Sequence, residues 1–322
     1  MAALSDIPLP RVVDLRQIRT GDLDALLEEE VAAWSTLLEW DFRPSAELVR
    51  RFVDMQALTG YALLHSNRVI GYVYYVCEER KGLIGDLYVM DAYRSVINEN
   101  LLLGPVLDAL LSTPFVTRVE SQLMMVSQPL ARPLPLGGRV HVYARNFMEA
   151  DLGAVHALPV RERSSIQIEP WTESDQDEAA RVIAASYAGH IDSRINDQYR
   201  SAAGARKFLL NIVQYPGCGI FFKQASYVAV DSISRRICGI CLSSLVQDNI
   251  GHVTQICVTP EVRGTGTGFS LLRRAITALA RQGCARASLT VTAANEEATE
   301  LYERVGFRTK RKFAAYVWEA KQ

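Results

Sequence analysis

Residues 263–268 read RGTGTG, three glycines alternating with two threonines behind an arginine. Glycine loses more conformational freedom on folding than any other residue and brings no side chain to a core. A chain keeps such a run where its backbone must turn tightly or offer its amides to a ligand. The segment before it, QICVTP (255–260), reads as a strand. The segment after it, FSLLRRAITALARQG (269–283), places Leu272, Ala275, Ile276 and Leu279 at helical spacing, with Gly283 as a stop. Free N–H groups and the positive end of a helix dipole then meet at one point, which suits a phosphate or pyrophosphate.

Two familiar phosphate loops do not fit. A P-loop needs a lysine directly after its last glycine, and none stands there. A dinucleotide fold needs G-x-G-x-x-G early in a long βαβ unit. Here the third glycine comes one position too soon, and too little chain remains behind it.

The 322 residues suggest two domains. Lys plus Arg (35) balance Asp plus Glu (36), so neither nucleic acid nor an anionic membrane is favoured as a partner. No apolar run is long enough to span a bilayer, and MAALSDIPLP lacks the features of a secretory signal. Six cysteines in a chain this long fit a reducing, cytoplasmic setting better than a disulfide framework. Cys238 and Cys241 form a lone C-x-x-C inside a strand-like segment. Their spacing points them to opposite faces, so no metal site is expected and core burial is.

The second half reads strand (166–171), helix (172–187, with Thr172 as N-cap), a mixed polar segment to about 215, and strands at 219–231, 235–247 and 252–260. The glycine run, a helix, a strand (287–292), a helix (295–307) and a closing strand (312–320) follow. The first half repeats the order: strand 11–18, helix 20–34, strands 60–66, 68–79 and 82–90, helix 100–112, strand 118–126. A Pro-rich stretch, 127–138, comes next. The expected division is 1–150, a linker at 151–165 where periodicity lapses, and 166–322. The halves match in layout and not in residues.

The R-x-x-G-x-G pattern of Arg263, Gly266 and Gly268 resembles the signature of the GNAT (GCN5-related) N-acetyltransferases. NEEATELYERVGF (295–307) resembles the family's N-x-x-A-x-x-L-Y-x-x-x-G-F element at Asn295, Ala298, Leu301, Tyr302, Gly306 and Phe307. It stands one helix and one strand downstream, as in the family. The resemblance is close over 166–320 and holds in outline over 11–150. It implies an α/β fold of two GNAT-like acyl-CoA N-acyltransferase domains in tandem, each a twisted mixed sheet flanked by helices.

The resemblance also implies an activity. Acetyl-CoA would be the cosubstrate, an amine of a small molecule or peptide the acceptor, and no metal would take part. A longer acyl group, or a non-catalytic acyl-CoA sensor, stays open, as does a homodimer. The pyrophosphate would lie on the amides of Arg263, Gly264, Thr265, Gly266, Thr267 and Gly268. Pantetheine would run along Ile256, Cys257 and Val258, with a backbone donor near Val258 on the acetyl carbonyl. Asn295 would touch pantetheine or fix the loop. Tyr302, protonated at neutral pH with an ordinary pKa of about 10, would give the leaving thiolate its proton. His252, six residues before Val258, is a candidate base beside a water, with Gln255 and Glu261 as weaker alternatives.

The acceptor should meet SYAGHIDSRINDQY (186–199). If this segment is helical, Tyr187, His190 and Arg194 share one stripe, and Asp192, Asn196 and Tyr199 another, with Asp192 attracting the amine. In the first half, Arg94 is present, but Ser95, Val96, Ile97, Asn98 and Glu99 stand where glycines should be, and no Asn…Leu-Tyr element follows. That half is therefore expected to be a degenerate domain that does not bind the cofactor. Trp34 and Trp40 are expected to be core residues.

Overall fold

The computed structural model describes residues 9–320 except 79, 156–157, 160–164 and 216. They form two compact units, and neither is a contiguous half of the chain: one is 1–38, 42–144 and 313–322, the other 39–41 and 145–312. The units divide at 144/145 and 312/313, and the stretch 151–165, where a linker was expected, falls inside the second. Part of it (156–157 and 160–164) lies outside the described residues.

The first unit runs β1 (Arg11–Asp14), α1 (Thr20–Leu38), α2 (Arg43–Asp54), β2 (Gly60–His65), β3 (Arg68–Glu78), β4 (Lys81–Val89), α3 (Val96–Ser112) and β5 (Arg118–Leu123). Ser66 and Asn67 join β2 to β3 with positive φ at both residues, the backbone hand that matches strand twist in a two-residue hairpin. Antiparallel pairs link β1 through β4, and β4 pairs with β5 in parallel. Leu102, Leu103, Val106, Leu107 and Leu110 form the apolar stripe of α3 and pack on Ile70, Val73, Ile84 and Leu87 of the sheet. Trp34 is buried as expected.

After β5 the chain enters β6 (Val140–Asp151), whose residues from Arg145 onward belong to the second unit. That unit continues with β7 (Ile166–Pro170), α4 (Gln176–Ser186), α5 (Asp192–Ile195), α6 (Ala202–Gln214), β8 (Ile220–Phe221), β9 (Tyr227–Asp231), β10 (Ile237–Gln247), β11 (Ile250–Val258), α7 (Thr267–Arg281), β12 (Arg286–Thr292) and α8 (Glu296–Val305). The last strand, β13 (Arg308–Glu319), closes the first unit instead: Ala314–Glu319 pair antiparallel with β5, and Tyr316 and Trp318 enter its core. The second sheet runs β7-β9-β10-β11-β12-β6, with only β11–β12 parallel. Each unit thus takes one strand from the other half of the sequence.

In β10, Ile240 and Leu242 face a core shared with Trp171, Ala180, Ile183 and Leu209, while Cys241 faces the core built by α7. This is the two-residue alternation of a strand buried on both sides. Cys238 joins Cys241 in the same cluster, against expectation, because a register shift between Ile237 and Gly239 breaks the alternation. The expected strand at 219–231 is interrupted by a 3-10 turn at Lys223–Ala225. α6 occupies the segment left unassigned before 215. Thr172 forms a capping box with Asp175, over a 3-10 turn that leads into α4.

Candidate active site

β10 and β11 are in register on either side of Thr254: Leu242 faces Gln255 and Ser243 faces Val253. Thr254 is the extra residue of a bulge, and bulges bend and twist the strand that carries them. The parallel pairing of β11 with β12 stops at the same point. Ile250–Val253 pair with Arg286–Leu289, yet β11 continues to Val258 and β12 to Thr292. The two strands therefore part beyond the bulge.

The Thr259 N–H bonds the Cys238 carbonyl on the β10 side. By alternation, the N–H and C=O groups of Ile256 and Val258 lie on the edge that β12 has left. Their carbonyls accept from Tyr187 Oη at 3.5 Å and Ser186 Oγ at 2.9 Å. Cys257 lies on the β10 side of the ladder; burial pushes its thiol up to about 11.

The glycine run follows directly. Gly264 and Gly266 have φ of +68° and +89°, and a Cβ on either would meet nothing within 4 Å. Backbone hand, not crowding, therefore demands glycine there. Gly266 is the N-cap residue of α7, so the first amides of the helix have no side-chain cap. Thr265 Oγ1 bonds the Val262 carbonyl and Thr267 Oγ1, which pins the loop. Arg263 turns away from its amides and donates to the Ser186 carbonyl at the end of α4.

Asn295 caps α8, its Oδ1 accepting from the Ala298 N–H. About two helical turns further, Tyr302 is 7 % exposed and edge-on to Phe307. Burial raises its phenol well above the ordinary value. Its hydroxyl makes no hydrogen bond to a described residue, so the proton is held and undirected. Gly306, at φ +108°, ends α8.

The segment 186–199 is not one helix. α4 ends at Ser186, Gly189 has φ +72°, and α5 is a single turn, so the two expected stripes do not form. The tertiary fold assembles a different cluster. Tyr187 and Tyr199 stack at 4.4 Å, and both hydroxyls meet the side chain of Gln255. Burial raises both phenols. Asp192 is tied to Arg145 (3.1 Å) and to Thr292, and His190 accepts from the Asp192 N–H. Asp192 is therefore already neutralised and is not a free carboxylate awaiting an amine. Asn196 is spent on capping its own turn. Arg145 carried no motif; its strand, β6, follows the Pro-rich stretch 127–138 and was assigned no element from the sequence.

His252 is corrected by the structure. It lies before the bulge, on the paired part of β11, with Nδ1 2.9 Å from Ser288 Oγ. Trp40 meets its ring edge-on at 5.0 Å and Phe147 stacks beyond. It is 4 % exposed, and desolvation lowers its pKa to about 3. A buried, neutral, hydrogen-bonded imidazole is a core residue, not a base. Trp40 is likewise buried.

The first unit repeats this machinery at the same sequence interval throughout. Gly85 is the extra residue of a bulge in β4, as Thr254 is in β11. β4 parts from β5 after Ile84, as β11 parts from β12 after Val253. A Cβ on Gly82 would strike Leu110 of α3; one on Gly251 would strike Leu279 of α7. Arg94 answers to Arg263, Ile97 to Gly266 and Glu99 to Gly268. The residue counterpart of Gln255 is Asp86, buried against Glu30 of α1 with Tyr72 Oη 2.9 Å from Glu30 and 3.4 Å from Asp86.

Known proteins bear on the same region. The acetyltransferase (GNAT) family model matches residues 167–307. A GCN5-related N-acetyltransferase from Sphaerobacter thermophilus matches 97 % of this chain and 96 % of its own, with 15 % identity and a TM-score of 0.64. A tandem GNAT protein from the clavulanic acid biosynthesis pathway matches 98 % and 99 %, at 13 % identity and 0.60. A GNAT-family acetyltransferase from Colwellia psychrerythraea matches 98 % and 100 %, at 11 % identity and 0.51. At such identities the likeness is one of fold. No curated protein sequence matches the chain. The family match places a GNAT acetyltransferase domain at residues 167–307, and the chain has a tandem GNAT fold, the fold of acyl-CoA N-acyltransferases. Among the described residues, no helix is long and apolar enough to cross a membrane.

Proposed function

We propose that the second unit transfers an acetyl group from acetyl-CoA to a primary amine of a small molecule or peptide. One observation carries the reading: β11 and β12 part beyond the Thr254 bulge, immediately before a loop with two left-handed glycines at the start of α7. The pyrophosphate would lie on the amides of Arg263–Gly268. The pantetheine arm would pair with the edge of β11 that β12 has left, at Ile256–Val258. The Val258 N–H then stands where the thioester carbonyl develops negative charge. Asn295 holds the start of α8 and so the position of Tyr302.

The amine attacks as the free base. Its nitrogen bonds the acyl carbon, the C–S bond breaks, and Tyr302 gives its proton to the thiolate. His252 is out of reach, and Glu261 is held below the usual carboxylate range by hydrogen bonds from its own backbone and Thr259, so the amine's proton passes to water. The first unit does not take part in cofactor binding. Six unpaired cysteines fit a reducing, cytoplasmic setting. Release of free CoA thiol from acetyl-CoA across a panel of amines tests the reading. Amine-dependent turnover that falls in Tyr302→Phe supports it; tight acetyl-CoA binding with no turnover on any amine contradicts it and leaves a sensor.

A further inference from the structure

α7 has a second polar face, away from the glycine loop. Arg273, Arg274, Thr277, Ala278 and Arg281 fall on one stripe of the helix and, with Tyr227 of β9, line a cavity of about 120 Å³. That is the share of about four waters in the liquid. Three arginines line it, Arg274 and Arg281 exposed and Arg273 half-buried, and among the described residues none forms an ion pair with a carboxylate. Arg273 Nε is held by the Leu158 carbonyl at 3.1 Å, which leaves its two terminal nitrogens free to turn to the cavity. Arg274 stacks over the Tyr227 ring at 5.7 Å. Thr277 is 8 % exposed, and its hydroxyl has no hydrogen-bond partner among the described residues.

Three arginines with no carboxylate partner among the described residues surround a small cavity, and a buried hydroxyl without a partner is destabilising. A fold that keeps both has a use for them. We infer that this face of α7 binds a phosphate-sized oxyanion, with Arg273, Arg274 and Arg281 as charged donors and the Thr277 hydroxyl as the neutral one. Planar guanidinium forks match the oxygens of phosphate, and an anion satisfies charge and hydroxyl together. The repeat supplies a control. The counterparts of Arg273, Arg274, Thr277 and Arg281 in α3 are Gly104, Pro105, Asp108 and Ser112, which carry no cation. The cluster was therefore not imposed by the shared fold. Its nearest member, Arg273, stands five residues, about a turn and a half, beyond Gly268, and occupation of the cavity does not depend on acyl transfer.

The test is thermal unfolding and calorimetric titration of the full chain with inorganic phosphate, and with glycerol phosphate, against chloride at equal ionic strength. The site predicts saturable stabilisation by phosphate. The double variant Arg274→Gln/Arg281→Gln should lose it, with affinity down about tenfold or more. Gly266→Glu should retain it. Thr277→Val separates binding from structure: the phosphate-free protein should melt higher, since an unpaired buried hydroxyl is gone, while the phosphate response shrinks. A stronger response to glycerol phosphate would identify a phosphomonoester as the ligand; a response to inorganic phosphate alone would identify the free ion. No saturable response to either, or one unchanged in the arginine variant, overturns the inference.

Discussion

The loops 94–99 and 263–268 occupy the same place in two copies of one design. Both follow a bulged strand that has parted from its parallel neighbour, and both open a helix. Arginine leads each. What differs is backbone hand. Gly264 and Gly266 take positive φ, hold α7 back to Thr267 and leave its first amides uncapped. In the first unit Ser95 caps the helix by accepting from the Asn98 N–H, and α3 already begins at Val96, the counterpart of Thr265. The amides that the second loop offers outward are consumed by helix formation in the first. Ile97, 74 % exposed, stands where Gly266 leaves the backbone bare.

Glu99 adds a further difference. Its carboxylate does not face outward. It is buried in an ion pair with Arg132 and accepts from the Ser127 N–H and hydroxyl, so the Pro-rich connection is pinned to the start of α3. The position that Gly268 keeps small has become a structural anchor.

The largest effect expected is at Gly266. Gly266→Glu forces a side chain into a left-handed position and sets a carboxylate against the pyrophosphate; acetyl-CoA binding should disappear by calorimetry while the unfolding transition shifts little. Glu99→Ala should behave in the opposite way. It strands Arg132, so denaturant unfolding should show a loss of about 3–5 kcal/mol, with the acetyl-CoA dissociation constant unchanged. An altered affinity there would break the comparison.

Tyr302→Phe sharpens it from the side of chemistry. Losing a general acid should lower kcat by about 100-fold or more in steady-state assays, with acetyl-CoA affinity preserved. A smaller and pH-dependent effect is expected from the buried acids of the first unit. Burial and the charge of Asp86 push Glu30 well above the usual carboxylate range, and burial raises Asp86. The native state then keeps a proton that the unfolded chain releases above about pH 4. Stability should fall as pH rises from there toward the native pKa. Glu30→Gln should remove that slope, seen as a gain in melting temperature over wild type at pH 8 that vanishes at pH 4.

Much of this was legible in the sequence, for reasons tied to particular residues. RGTGTG and NEEATELYERVGF announce backbone geometry and a helix cap, which are local, and the structure puts Gly266 and Asn295 in those roles. The apolar stripes of α3 and α7 were equally readable. Non-local facts were not. Burial of His252 depends on Trp40, Phe147 and Ser288, distant in sequence. Arg145 reaches Asp192 only because β6 joins the second sheet, and nothing near Arg145 in the chain announces that pairing. The repeat was legible in layout and not in residues, because bulges and glycine contacts recur while most side chains do not.

Isothermal titration of acetyl-CoA into the intact chain tests the central claim most directly. One site per chain, abolished by Gly266→Glu, is the predicted result. Two sites would contradict the reading of the first loop as closed, and a site that survives Gly266→Glu would contradict the placement of the cofactor on the second.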